Sequence, residues 1–188
     1  MEKKPNILRR QLDKFDHRDL INSSFWVGQI FVLIATVVGV YLAAQAGLRQ
    51  AVEFDNLMGD QNVYFLQKSM HSEVSDNLQM IRDYVVEVRK NQVINRKTLR
   101  PYFPRLVWEN MRYSPYTLET PPKYLTAIQR FYGEMDLLID KYESKTYGSR
   151  YAADQMIAAV ERIEPVLDDM ALTLKEKEKS LTEAGVDL

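Results

Sequence analysis

The sequence predicts an all-α protein in which a single N-terminal transmembrane helix precedes a small antiparallel helical bundle. Three observations predict this fold class. Residues 24–46 carry no charge. After them, apolar residues recur at steps of three and four, which is the period of a helix with one buried face. No stretch alternates between apolar and polar residues as a β-strand does. The bundle is expected to contain three long helices and one short helix.

Composition limits what the chain can do. Its 188 residues allow one anchor and one modest domain. Cysteine is absent, which excludes disulfides, iron–sulfur clusters and cysteine-ligated zinc. Two histidines, His17 and His71, are too few for a multi-histidine metal site, so no cofactor is expected. The net charge of −1 provides no basic field that would attract nucleic acid.

The first predicted element is a basic, amphipathic cytoplasmic leader at residues 1–23. Its apolar residues fall on one side of a helix, and basic residues occupy the rest. Such a segment can lie on the anionic inner leaflet of a membrane, with its apolar side in the lipid. The alternative is a solvated basic tail that only sets the topology.

The second element is a transmembrane helix at residues 24–47. Its length of roughly 34 Å, at about 1.5 Å per residue, exceeds a hydrocarbon core of about 30 Å. Six basic residues precede it, whereas only Arg49 lies within the next twenty residues. Basic flanks stay in the cytoplasm. We therefore expect a cytoplasmic N-terminus in the inner membrane of a bacterium, with the lipid bilayer as one partner and the C-terminal domain in the periplasm.

A cleaved signal peptide is the competing interpretation of this segment. Ala44, Gln45 and Ala46 match the small-x-small pattern of a signal-peptidase site. Signal peptides, however, have apolar cores of about 7–15 residues, and the run here extends from residue 25 to residue 44. An uncleaved signal anchor is therefore favoured, and both interpretations export the C-terminal part.

Small residues recur every four positions through the span. This spacing places them on one helical face, where a second helix could approach closely. The partner would be a second copy of the chain or another membrane or envelope protein. The alternative is chance, because alanine and glycine are common in transmembrane helices. The residues are Ala35, Gly39, Ala43 and Gly47.

The predicted periplasmic bundle covers residues 48–178. Its first helix extends to residue 93, with Gly59 and Asp60 as a point where it could loosen. A short helix follows at residues 104–111. A second long helix begins after Thr120, which is expected to cap it. The third begins near Ser149 and contains Pro165, which should kink it. Residues 179–188 are expected to form a charged, flexible tail.

Aromatic and arginine residues alternate between residues 96 and 124. These residue types dominate protein interfaces, and the same mixture could bind an anionic or aromatic ligand. The alternative is that the rings close the open end of the bundle. Single-stranded nucleic acid also suits such a mixture, but the exported location makes it unsuitable. The candidate binding surface consists of Tyr102, Phe103, Arg105, Trp108, Arg112, Tyr113 and Tyr116.

Catalytic signatures are missing from the sequence. It contains no Gly-rich phosphate loop, no HExxH and no Gly-x-Ser-x-Gly. The acidic residues near Glu161 and Asp168 are typical of a solvated helix face. We therefore expect a non-enzymatic, membrane-anchored interaction protein, a scaffold or an accessory subunit of a membrane complex. The alternative is a ligand-sensing bundle that signals through a partner in trans.

The layout of leader, span and helical domain resembles the outer half of helical-bundle chemoreceptors, as well as several bacterial single-span families of unknown function. The resemblance lies in the architecture alone. No residue motif supports it, and it assigns no site residues.

Overall fold

The computed structural model describes residues 23–90 and 95–188, and every regular element in these two ranges is helical. The all-α prediction is therefore confirmed. Residues 1–22, which contain the predicted leader, lie outside the described residues. The α-helices are α1 (Ser23–Lys90), α2 (Leu106–Met111), α3 (Pro122–Glu143) and α4 (Ser149–Glu183), with short 3-10 helices at Arg96–Leu99 and Pro115–Glu119.

The chain divides after Phe54 into two compact units. The described residues of the N-terminal unit, 23–54, form the first part of α1, and this segment is long and apolar enough to span a membrane. Its residues from 24 to 54 are all exposed. Among residues 23–54, nothing covers this helix, which is apolar on all sides, and the same combination of features is typical of a membrane span.

The C-terminal unit, Asp55–Leu188, contains a hydrophobic core built from α1, α3 and α4. The predicted apolar stripe of α1 lies in this core. Burying one such side chain contributes about 1.5–3 kcal/mol, and the stripe therefore directs the packing of the helix. The buried stripe residues are Met70, Val74, Leu78, Ile81, Val85 and Val88. The predicted stripe of α4 is buried in the same way and consists of Met156, Val160, Ile163, Leu167, Met170 and Leu174.

Helix α1 continues through Gly59 and Asp60, where the sequence predicted a loosening point. A glycine within a helix costs about 1 kcal/mol relative to alanine. The next turns offset this cost, because Val63 and Tyr64 are fully buried.

Ion pairs show that α4 runs antiparallel to α1. Arg82 of α1 pairs with Glu164 of α4. Two turns further along α1, Arg89 pairs with Asp154, which lies earlier in α4. The residue numbers increase on one helix as they decrease on the other.

Hydrogen bonds between polar side chains show that α1 and α3 run parallel. The Gln67 amide donates to the Thr120 hydroxyl just before α3. The Asn77 amide, further along α1, donates to the Tyr132 hydroxyl, further along α3. Two parallel helices in direct contact need a connection that returns along their length.

Residues 95–121, the linking segment, provide that return. The Pro104 carbonyl accepts a hydrogen bond from Asn77, whereas the later Tyr116 hydroxyl accepts one from the earlier Asn62. The segment therefore descends alongside α1 before α3 ascends. The chain therefore reverses direction from α1 to the linking segment and again from the linking segment to α3. The linking segment, which is mostly irregular, occupies the position that a helix would have in a bundle.

The start of α3 differs from the prediction. Thr120 was expected to cap the helix, but Pro121 occupies the N-cap position and makes no side-chain cap hydrogen bond. Thr120 is instead buried, with its hydroxyl near the Gln67 amide at 3.4 Å. Tertiary contact with α1 thus replaces the local cap.

Part of residues 179–188, the predicted flexible tail, is helical. Helix α4 continues to Glu183, with Pro165 inside it. Leu181 is buried in the core, and the Asp187 carbonyl accepts a hydrogen bond from the Gln61 amide. These contacts with the C-terminal unit extend its ordered structure into residues 179–188.

Candidate functional site

Side chains of α1 bind the backbone of the linking segment. The Glu73 carboxylate accepts hydrogen bonds from the backbone N–H groups of Val107 (2.6 Å) and Trp108 (3.0 Å). These donors lie in the first turn of α2, where no intrahelical acceptor exists. The negative charge also lies at the positive end of that helix. Asn77 donates to the Pro104 carbonyl at 2.8 Å. Two α1 residues, one turn apart, thus fix the beginning of α2.

A polar and aromatic cluster joins the linking segment to α3. Tyr132 is 3% exposed, its hydroxyl accepts a hydrogen bond from Asn77 at 2.8 Å, and burial raises its pKa to about 12. The Arg105 guanidinium lies 4.4 Å from the Tyr132 ring centroid and binds both oxygens of Asp136, at 2.8 and 2.6 Å. The Trp108 ring lies 6.0 Å from that of Tyr132. Two predicted binding residues, Arg105 and Trp108, therefore contribute to internal packing.

Two further arginines attach the beginning of the linking segment to the end of α3. Arg96 donates to the carbonyls of Tyr142 (2.8 Å) and Tyr147 (2.9 Å). Arg100 donates to the Glu143 carboxylate at 3.0 Å. These arginines stabilise the fold, because each one satisfies acceptors that lie between two elements.

The other predicted residues divide into packed and exposed groups. Phe103 packs against the core, and the Tyr116 hydroxyl accepts a hydrogen bond from Asn62 at 3.1 Å. Tyr102 is 85% exposed and Tyr113 is 73% exposed. The predicted surface is therefore partly an internal contact, and its exposed members lie around α2.

A groove of about 420 Å³ lies between the linking segment and α3, and we call it the α2 groove. Its apolar lining residues are Trp108, Met111 and Leu125. Its polar lining residues are Glu109, Arg112, Thr117 and Gln129. Two predicted residues, Trp108 and Arg112, thus meet at one concave surface, whereas the other groove residues were not predicted.

Two other grooves have different chemistry. One, of about 320 Å³ between α3 and α4, includes Arg162 and Glu134, which pair with each other. The other, of about 490 Å³, is acidic and includes Asp55, Asp60 and Glu119. Within residues 23–90 and 95–188, no three or more histidine, aspartate or glutamate side chains are grouped so that they could bind a metal ion.

The small-residue stripe of the N-terminal unit is open. Ala35, Gly39, Ala43 and Gly47 are all exposed. A Cβ atom built at Gly39 or Gly47 would have no neighbour within 4 Å. No other side chain of residues 23–54 covers this face of α1.

Sequence reasoning missed Glu73 and Asn77, which fix α2. A signal for Asn77 was present, since it lies four residues before Ile81 of the apolar stripe and therefore on the same face. A polar residue on a buried face needs a hydrogen-bond partner. Nothing local identified that partner as a proline carbonyl 27 residues away.

No protein-family model matches this chain, and no curated protein and no solved structure shows significant similarity to it.

Proposed function

We propose that this protein is a non-enzymatic, single-pass interaction protein of the bacterial inner membrane. Its N-terminus would lie in the cytoplasm, and its helical bundle would lie in the periplasm as a scaffold or accessory subunit of a membrane complex. The observation that supports this most directly is the complete exposure of the apolar part of α1. An apolar surface of this size is typical of a segment that a membrane or another protein covers.

Lipid accounts for most of the covering. A helix satisfies its own backbone hydrogen bonds and can therefore lie in hydrocarbon. The excess of basic residues before the span favours a cytoplasmic N-terminus. Within lipid, apolar side chains give no net drive for association, and helices instead meet where small residues permit close approach. The open stripe that includes Gly39 and Gly47 meets this requirement.

Apolar exposure also continues beyond the predicted end of the span at residue 47. Leu48 is 67% exposed and Phe54 is 65% exposed. Ala51 and Phe54 follow Gly47 at steps of four and three, which keeps them on the side of the helix where Gly47 lies. Charged residues such as Arg49 and Glu53 are interspersed, so this stretch lies outside hydrocarbon. We infer that a partner helix follows α1 out of the membrane along this face.

Photo-crosslinking in intact membranes tests the proposal. A photoactivatable residue placed at Ala43 should crosslink to a protein, either a second copy or a partner that mass spectrometry identifies. The matched control is Val37, which lies on the opposite side of the helix from Gly39 and should crosslink mainly to lipid.

The substitution Gly39→Leu should reduce the crosslink at Ala43 at least fivefold, because a large side chain prevents close helix approach. Equal crosslinking at Val37 and Ala43, or an unchanged yield in Gly39→Leu, would contradict the proposed face.

A further inference from the structure

Arg112 differs from the other arginines of the linking segment. Arg96 binds backbone carbonyls, while Arg100 and Arg105 bind carboxylates. Arg112 lines the α2 groove, and no carboxylate within residues 23–90 and 95–188 pairs with it. Its guanidinium lies 4.8 Å from the centroid of the Tyr113 ring, which positions it. One cation of this segment is therefore available to a ligand.

Glu109, which also lines the α2 groove, provides a negative charge. It precedes Arg112 by three residues, a spacing at which side chains are neighbours on a helix surface. In the described part of the chain, the two side chains form no ion pair with each other. The Glu109 carboxylate does act electrostatically on Arg105, but that guanidinium is already bound to Asp136. The groove thus presents two adjacent, opposite charges.

The α2 groove is large enough to hold a large apolar side chain. The Trp108 ring, Met111 and Leu125 face a volume of about 420 Å³. Small-molecule pockets are usually about 300–1,000 Å³, mainly apolar, with a few charged groups that orient the ligand. The α2 groove has this composition, whereas the 490 Å³ groove is acidic and the 320 Å³ groove uses its Arg162 in an internal pair.

We propose that the α2 groove binds a free α-amino acid with a large apolar side chain. Arg112 would bind the α-carboxylate, which a guanidinium matches in shape and charge. Glu109 would accept hydrogen bonds from the α-ammonium group. The ligand side chain would contact Trp108, Met111 and Leu125. This inference does not require the partner helix proposed above, and it gives the ligand-sensing alternative a specific site.

Fluorescence of Trp108 provides a readout for this site. The chain has two tryptophans, and Trp26→Phe leaves Trp108 as the only one. Full-length Trp26→Phe protein in detergent micelles is titrated with L-leucine and with L-phenylalanine, with excitation at 295 nm. Saturable changes are expected for both ligands. Isocaproate, which lacks the ammonium group, and isoamylamine, which lacks the carboxylate, should each bind at least tenfold more weakly than L-leucine.

Two substitutions at exposed positions test the assigned contacts. Arg112→Gln and Glu109→Gln should each weaken L-leucine binding at least tenfold without changing the helical circular dichroism spectrum. The control Lys97→Gln removes an exposed charge of the linking segment that does not line the groove, and it should bind as the parent does.

If neither L-leucine nor L-phenylalanine caused a saturable change in fluorescence, the proposal would be overturned. Wild-type affinity in Arg112→Gln would also overturn it. Binding of a peptide that ends in leucine, without binding of free L-leucine, would overturn it as well, because the groove would then recognise a chain terminus.

Discussion

Asn77 and Tyr132 are buried residues, and each one satisfies a polar group of the other. The Asn77 amide donates to both the Tyr132 hydroxyl and the Pro104 carbonyl, each at 2.8 Å. A buried polar group without a partner costs about 1–3 kcal/mol, so each group needs the other. The same burial disfavours the ionised phenol, and the pKa of Tyr132 rises from 10.0 to about 12.

Tyr132 should make the protein less stable in alkali. Because its pKa in the folded state exceeds that of an unfolded tyrosine, the unfolded chain ionises first as the pH rises. The contribution of this group to the free energy of unfolding is therefore complete below about pH 10 and falls between pH 10 and 12. Tyr132→Phe should destabilise the protein by about 1 kcal/mol at pH 7 and should show a smaller alkaline loss. Urea unfolding at several pH values measures both effects.

Tyr113→Phe is the matched control, since its hydroxyl is on an exposed ring. It should leave the alkaline loss unchanged. Some loss should remain in Tyr132→Phe, because burial also raises the pKa of Tyr84. An alkaline loss in Tyr132→Phe as large as in the wild type would show that Tyr132 does not contribute to it.

At the level of elements, α2 depends on α1 for its position. It has only six residues, and short helices are marginal without tertiary contacts. Its N-cap, Arg105, makes no side-chain cap hydrogen bond. The Glu73 carboxylate supplies the missing acceptor from a different helix. A long-range cap therefore determines where the groove residues Trp108 and Arg112 lie.

Replacing this carboxylate should loosen the linking segment. Glu73→Gln removes the charge and one of the two acceptors, which should cost about 1–3 kcal/mol. Amide hydrogen exchange at Val107 and Trp108 should accelerate at least tenfold, whereas exchange in the α4 core should change less. Glu87→Gln is the matched control on α1, because among the described residues Glu87 forms an ion pair only with the exposed Lys90. Equal exchange at Trp108 in the two variants would refute the capping role of Glu73.

At the scale of the whole molecule, the two units place their apolar residues in opposite ways. The C-terminal unit has a hydrophobic core that is formed mainly by three helices. The segment from residue 24 to residue 54 exposes its apolar residues on every side. This contrast supports the proposed membrane anchor, because lipid can cover an apolar helix that no packed core covers.

Membrane extraction and a topology reporter test this division. Full-length protein should remain in the membrane fraction after alkaline carbonate washing, as a transmembrane helix does. Alkaline phosphatase fused after Leu188 should be active, because that enzyme needs the oxidising periplasm for its disulfides. Replacing Val32 and Val38 by arginine should release the protein, at about 2.5–3.5 kcal/mol for each charge. An inactive fusion or carbonate release of the wild type would contradict the proposed anchor.

The helices were largely predictable because their signal is periodic and local. The apolar steps in α1 and α4 identified residues such as Met70 and Met156, both fully buried. The end of α4 was less predictable. The charged residues after Lys175 indicated fraying, but burial of Leu181 extends the helix. One apolar contact outweighed the local composition.

The candidate site was predictable only in part. Residue types identified the segment that contains Trp108 and Arg112, since aromatic and arginine residues are enriched where proteins bind. They did not distinguish Arg105, which binds Asp136, from Arg112, which pairs with no carboxylate among the described residues. That distinction depends on which acidic residues of α3 lie within reach.

By itself, the sequence determined the helical class, the apolar segment of membrane-spanning length and the buried faces of the long helices, because each follows from hydrophobicity and period along the chain. Only the tertiary structure decided that the linking segment returns beside α1, that Glu73 caps α2, and that Trp108, Glu109 and Arg112 line one groove with Leu125. The physical reason is that these contacts join residues distant in sequence, and their partners are selected by packing geometry that no local pattern specifies.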